Sequence, residues 1–153
     1  MSTKKIVLIV LGCVIALAAI ICFTIYFFIS SFSNLSDVEE YTLGDDTISS
    51  IKSVVEKRKV TSVYTGIKNG ITTKTVEYKS DSVQDDLIKY VEYLRTDAGF
   101  SLIKEMDLSV VPSTVQLAKE SVDEGQVIII IIDYTLNGYT IKLNKGEGTL
   151  TTL

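Results

Sequence analysis

The sequence predicts an α+β fold: an antiparallel sheet of about five or six strands packed with one main helix, behind an amino-terminal transmembrane helix. Three observations predict it. Residues 6–29 form one run without a charge. Residues 83–98 repeat their apolar side chains with helical spacing. The remainder alternates apolar and polar residues between Asn-Gly and Gly-containing turns, the pattern of β-hairpins.

The run Ile6–Ile29, IVLIVLGCVIALAAIICFTIYFFI, extends about 36 Å as a helix, against a hydrocarbon core of ~30 Å. Lys4 and Lys5 precede it, and Asp37, Glu39, Glu40, Asp45 and Asp46 follow before another basic residue is reached. Positive charge before the span predicts a cytoplasmic amino terminus (1–5) and an extracytoplasmic carboxyl-terminal domain. Two processing sites compete with a retained anchor: Ala16-Leu17-Ala18 resembles a secretory cleavage site, and Val10-Leu11-Gly12-Cys13 a lipidation site. Both would leave a strongly apolar stretch downstream, so the uncleaved signal-anchor is the expectation. Cys13 and Cys22, the only cysteines, fall on opposite sides of that helix and form no common site. An exterior domain without cysteine fits a bacterial surface.

Residues 30–44 read as a linker whose first part, SSFSNLSD, is small and polar, and 45–153 as the extracytoplasmic domain. Its size suits a single core. Asp45 and Asp46 precede Ile48, Ile51, Val54 and Val55 at helical spacing, which predicts a short helix over 47–57. Asn69-Gly70 lies between runs rich in Val, Thr, Tyr and Ile; a type I′ turn there pairs Val63 with Val76 and Ile67 with Thr72. The helix over 83–98 places Val83, Leu87, Tyr90, Val91, Leu94 and Ala98 on one stripe. Ser82 and Asp85 resemble a capping box at its start, and Gly99 supplies a left-handed stop.

Strands are expected at 100–105, 114–122, 126–136 and 139–146, with Asp123-Glu124-Gly125 and Asn137-Gly138 as turns. A two-residue loop at Asn137-Gly138 pairs Tyr134 with Ile141, Ile132 with Leu143 and Asp133 with Lys142. Ile128, Ile130 and Ile132 then face the core. Val127, Ile129 and Ile131 fall on the other face, and an apolar ribbon there needs a cover. The 47–57 helix, with Ile48, Ile51 and Val55, is the expected intramolecular cover; a protein partner or a second copy is the alternative. These three residues are the one candidate interaction patch.

The chemistry of the chain is restrictive. It has no histidine, which removes the usual general base and the commonest metal ligand. It has no phosphate-binding Gly-rich loop, nucleophile elbow or EF-hand spacing, so no cofactor or metal is expected. Paired carboxylates such as Asp85-Asp86 and Asp123-Glu124 read as solvated helix starts and turns, while a Ser–Lys hydrolase is left open because serines and lysines are numerous. Setting aside Lys4 and Lys5 leaves 13 basic and 19 acidic residues, a net of −6, which disfavours nucleic acid and anionic lipid. The expectation is a non-enzymatic protein-interaction or assembly module on a single-pass anchor. The alternative is an exported lipoprotein-like ligand-binding or sensor accessory domain.

Overall fold

A computed structural model describes residues 38–150. Residues 1–37, with the Ile6–Ile29 run and the first part of the expected linker, and residues 151–153 lie outside the described residues. Among the described residues, no helix is long and apolar enough to cross a membrane.

Two sheets and two helices form a strand-rich α+β domain. The strands β1 (Glu40–Leu43) and β2 (Asp46–Ser49) make a small antiparallel hairpin, followed by the one-turn helix α1 (Ile51–Val54). Next come β3 (Lys59–Lys68), β4 (Ile71–Lys79), α2 (Val83–Thr96), β5 (Ser101–Lys104), β6 (Ser113–Glu120), β7 (Gln126–Tyr134) and β8 (Gly138–Glu147). The second sheet has six strands in the order β3-β4-β8-β7-β6-β5, every neighbour antiparallel. The last strand is therefore central, joining the β3–β4 hairpin to the β5–β8 meander.

The expected helix over 47–57 is corrected to a strand and a single turn. Gly44, at φ +61°, reverses the chain so that Thr42 pairs with Thr47 and Tyr41 with Ile48. Strand alternation then buries Tyr41, Leu43, Asp46 and Ile48, and only Ile51–Val54 is left helical. Strand pairing outweighs a helical repeat of barely three turns. Residues 40–43, read as linker, thereby belong to the folded domain.

Asn69 and Gly70 adopt φ of 52° and 77°, and the hairpin pairs Val63 with Val76 and Ile67 with Thr72. A bulge between Val60 and Ser62 shifts the far end. Helix α2 buries the expected stripe from Val83 to Leu94. Gly99 turns left-handed at φ +75°, and the Phe100 amide donates to the Leu94 carbonyl at 2.8 Å. The expected cap is absent, because Ser82 makes no capping side-chain bond.

The last hairpin departs from its expected register by two residues. Tyr134 pairs with Tyr139, Ile132 with Ile141, and Ile130 with Leu143. The loop is longer, with the Thr135 amide and hydroxyl both donating to the Gly138 carbonyl. Gly138 serves packing: a Cβ there would collide with the Tyr78 carbonyl oxygen on β4. Because side chains alternate with period two, a shift of two preserves both faces. Asp133 stands opposite Thr140, and Lys142 still reaches it diagonally at 2.7 Å.

Candidate functional site

Each strand of the large sheet has an inner and an outer side. On the inner side, Ile128, Ile130 and Ile132 of β7 join Ile141 and Leu143 of β8, Val115 and Leu117 of β6, and Leu87, Tyr90 and Leu94 of α2 in one buried cluster. Tyr41, Leu43, Ile48, Ile51 and Val55 belong to the same cluster. This overturns one expectation: the 47–57 segment covers the face of Ile130, not that of Ile129.

Val127, Ile129 and Ile131 are half-buried on the outer face. Val127 lies opposite Glu120 and Gly146 and beside Gly148, Ile129 lies opposite Ala118 and Asn144, and Ile131 opposite Gln116 and Lys142. Gly146 has no side chain to interrupt the surface, and Ile71 packs against it; a Cβ on Gly146 would lie 3.2 Å from Ile71 Cγ1. The three predicted residues are thus brought together, and the apolar band extends over Gly146 to Ile71, itself 46% exposed. Among the described residues, both helices and the β1–β2 hairpin pack on the inner face.

The opposite end of the outer face is polar. Thr114, Asp133, Thr140 and Glu77 follow one another across β6, β7, β8 and β4. The Thr114 hydroxyl and the Lys142 ammonium each donate to Asp133 at 2.7 Å. Burial would raise the Asp133 carboxyl, but these donors hold it below its ordinary value. A cleft of about 680 Å³ opens here, lined by these four residues with Thr61, Lys79, Ser113, Thr135 and Asn137. Tyr134 and Tyr139 also line it, although both are buried.

Two buried ionic sites were not anticipated. Asp86 is fully buried, and Arg58 grips it through Nε and a terminal nitrogen, both at 2.7 Å. The Ser80 hydroxyl (2.6 Å) and the Tyr139 hydroxyl (3.2 Å) donate to the same carboxylate. Burial acts to raise Asp86, and Arg58, Ser80 and Tyr139 outweigh it, so the carboxyl stays below its ordinary value. Lys145, 4% exposed, donates to Asp46 at 2.6 Å, to Asp123 at 2.5 Å and to the Leu43 carbonyl at 3.1 Å. The Ser121 hydroxyl donates to the Asp46 oxygen that Lys145 also contacts. An ammonium has three donors, and all are committed here. This serine and lysine therefore share a carboxylate, and the lysine carries a charge where a general base needs a lone pair.

Sequence periodicity contained a sign of both sites. Asp86 lies three residues after Val83 and four before Tyr90, on the apolar stripe. Lys145 continues the inward series Tyr139, Ile141, Leu143. A charged residue in register with a core face signals a buried pair. Its partners do not follow from the pattern, because they come from distant elements.

Among the described residues, no three His, Cys, Asp or Glu side chains come together in a way that fits a metal ion. Comparison of the chain with family models, with curated proteins and with solved structures returns no match.

Proposed function

We propose that the chain is a single-pass membrane protein presenting a non-enzymatic protein-interaction or assembly domain outside the cytoplasm. The observation that carries this reading is the outer sheet face, where Val127, Ile129 and Ile131 form an apolar band continuous with Ile71. Fully burying an aliphatic side chain is worth about 1.5–3 kcal/mol, so covering the remaining exposure of this band favours association. The charge-free Ile6–Ile29 run and the lysines before it support the anchor and its orientation. The committed donors of Lys145 weigh against one Ser–Lys pair, Ser121 with Lys145, as a catalytic dyad.

A photo-crosslinking side chain at position 129, introduced into the full-length protein in living cells, tests this reading. A defined protein captured at 129, and lost from a folded chain carrying Val127→Lys, is the expected result. Labelling of lipid or water alone would sink it. The cleft beside Asp133 favours the second reading, an exported ligand-binding or sensor accessory domain, because hydroxyl, amide and carboxylate groups line it together with Tyr78, Pro112, Tyr134 and Tyr139, a lining suited to a solute with polar and apolar parts. Small-molecule adducts at position 140 with none at 129 would select that alternative.

A further inference from the structure

The two edges of the large sheet are unequal. The β5 edge is only four residues long and is interrupted between Leu102 and Lys104. The β3 edge is ten residues long, and beyond its bulge Ser62–Lys68 pairs without interruption on its β4 side. Among the described residues, no strand pairs with the other side of β3. Such a row of backbone donors and acceptors is a template for another strand.

This edge is also electrically unlike the rest of the domain. Residues 57–79 contain six basic residues and one acidic residue, a net of +5, whereas residues 30–153 together sum to −6. Lys59 and Lys68 are exposed at the two ends of β3, and Lys79 is exposed opposite Lys59. Tyr64 and Ile67 lie between them, 62% and 77% exposed on opposite faces. Beneath the strand, Val38, Tyr41, Val60, Val63 and Lys74 line a small notch of about 20 Å³. The Lys74 ammonium lies 5.8 Å from the centroid of the Tyr41 ring.

We infer that β3 is a docking edge for an extended, acidic segment of another protein, which adds a strand beside Ser62–Lys68 and sets its carboxylates on the outer face, where Lys59 and Lys68 lie. Main-chain bonds supply the affinity of such an addition, and alternate side chains supply its selectivity. A second copy of β3 is a poor occupant, because antiparallel self-pairing sets the Lys59 end against the partner's Lys68 end. This edge is distinct from the Ile129 band, so its test is independent of the reading above.

The test uses the full-length chain in neutral detergent and a fluorescent peptide of alternating Val and Glu, roughly ten residues long to match the strand. Fluorescence anisotropy should show saturable binding that weakens about tenfold or more between roughly 0.05 and 0.5 M salt. Lys59→Glu together with Lys68→Glu should weaken it about tenfold. Lys104→Glu, on the opposite edge, should leave it unchanged, with thermal melts confirming that each variant folds. N-methylation of alternate peptide amides should abolish binding on one of the two alternations, because only one set faces β3. Equal binding of both N-methylated forms, equal binding of a Val-Lys peptide, or no binding overturns the inference. So does binding to phosphatidylglycerol vesicles that depends on Lys59 and Lys68 while the peptide stays free, since the edge is then a lipid contact.

Discussion

Lys145 and Asp46 are 99 residues apart in the chain and 2.6 Å apart in the fold. The pair ties the central strand β8 to the first hairpin. Asp123 joins it from the β6–β7 turn, and Leu43 joins it through its carbonyl. One ammonium therefore fastens three segments that share no local sequence relationship. Arg58 and Asp86 do the same between the segment before β3 and the first turn of α2.

Removing one member of such a pair leaves a buried charge without its counterion. Lys145→Met should destabilise the domain by about 3 kcal/mol or more, because Asp46 is 2% exposed. Lys145→Met combined with Asp46→Asn should cost less than the sum of the two single changes. Urea unfolding of the four proteins closes the cycle, and strict additivity would show that the pair is not coupled.

Stability should be flat across neutral pH and fall on both sides. The chain has no histidine, so no imidazole titrates between about pH 5 and 8. Burial acts to raise Asp46 and Asp86, but Lys145 and Ser121 on the first, and Arg58 and Ser80 on the second, hold both below the ordinary 3.8. A depressed carboxyl stabilises the fold above its unfolded value, so stability is lost as pH falls below about 4. On the alkaline side, burial raises Tyr41, Tyr78, Tyr90 and Tyr139, and the carboxylates around Lys145 raise it despite its burial. Raised groups stabilise below their unfolded values, so stability falls again as pH climbs beyond about 10. Thermal melts across pH 2–12 check both limbs; a step near neutrality would contradict this account.

The two Asn-Gly sites should respond differently to alanine. Gly70 has open space around it and φ +77°, so Gly70→Ala should cost about 1–2 kcal/mol from left-handed strain alone. Gly138→Ala drives a Cβ into the β4 backbone at the Tyr78 carbonyl, where nothing flexible yields. It should cost about 3 kcal/mol or prevent folding. Equal losses in chemical denaturation would remove the distinction between turn glycine and packing glycine.

Neighbouring isoleucines should separate the two faces of β7. Ile130 is fully buried, and Ile130→Lys should abolish cooperative unfolding. Ile129 is half-buried on the outer face, and Ile129→Lys should keep the circular dichroism spectrum and lower the melting temperature by only a few degrees. Collapse of both variants would mean that Ile129 belongs to a core.

Much of the domain was legible in the sequence because its cues are local. The 3.6-residue stripe of α2, the Asn69-Gly70 turn and the alternation of β8 each declare themselves within about ten residues. The last hairpin shows where that legibility stops. Core packing and the Asp133–Lys142 attraction both tolerated a shift of two residues, so their agreement did not select the register. The Thr135 bonds to Gly138 and the close approach of Gly138 to β4 selected it instead. The candidate patch was legible as a set of three residues, whereas its extension to Ile71 was not, since Ile71 arrives from another hairpin across Gly146.

The sequence by itself determined which segments are helix and strand over most of the domain and which side of β7, β8 and α2 turns inward, because periodicity is a property of neighbouring residues. Only the tertiary structure decided that β8 is central, that 40–49 pairs as a hairpin over the face of Ile130, and that Asp46, Asp86 and Lys145 are interior ions. Those outcomes depend on contacts between segments tens of residues apart. Their energies are set by the partner each group meets, and no pattern within one segment records that partner.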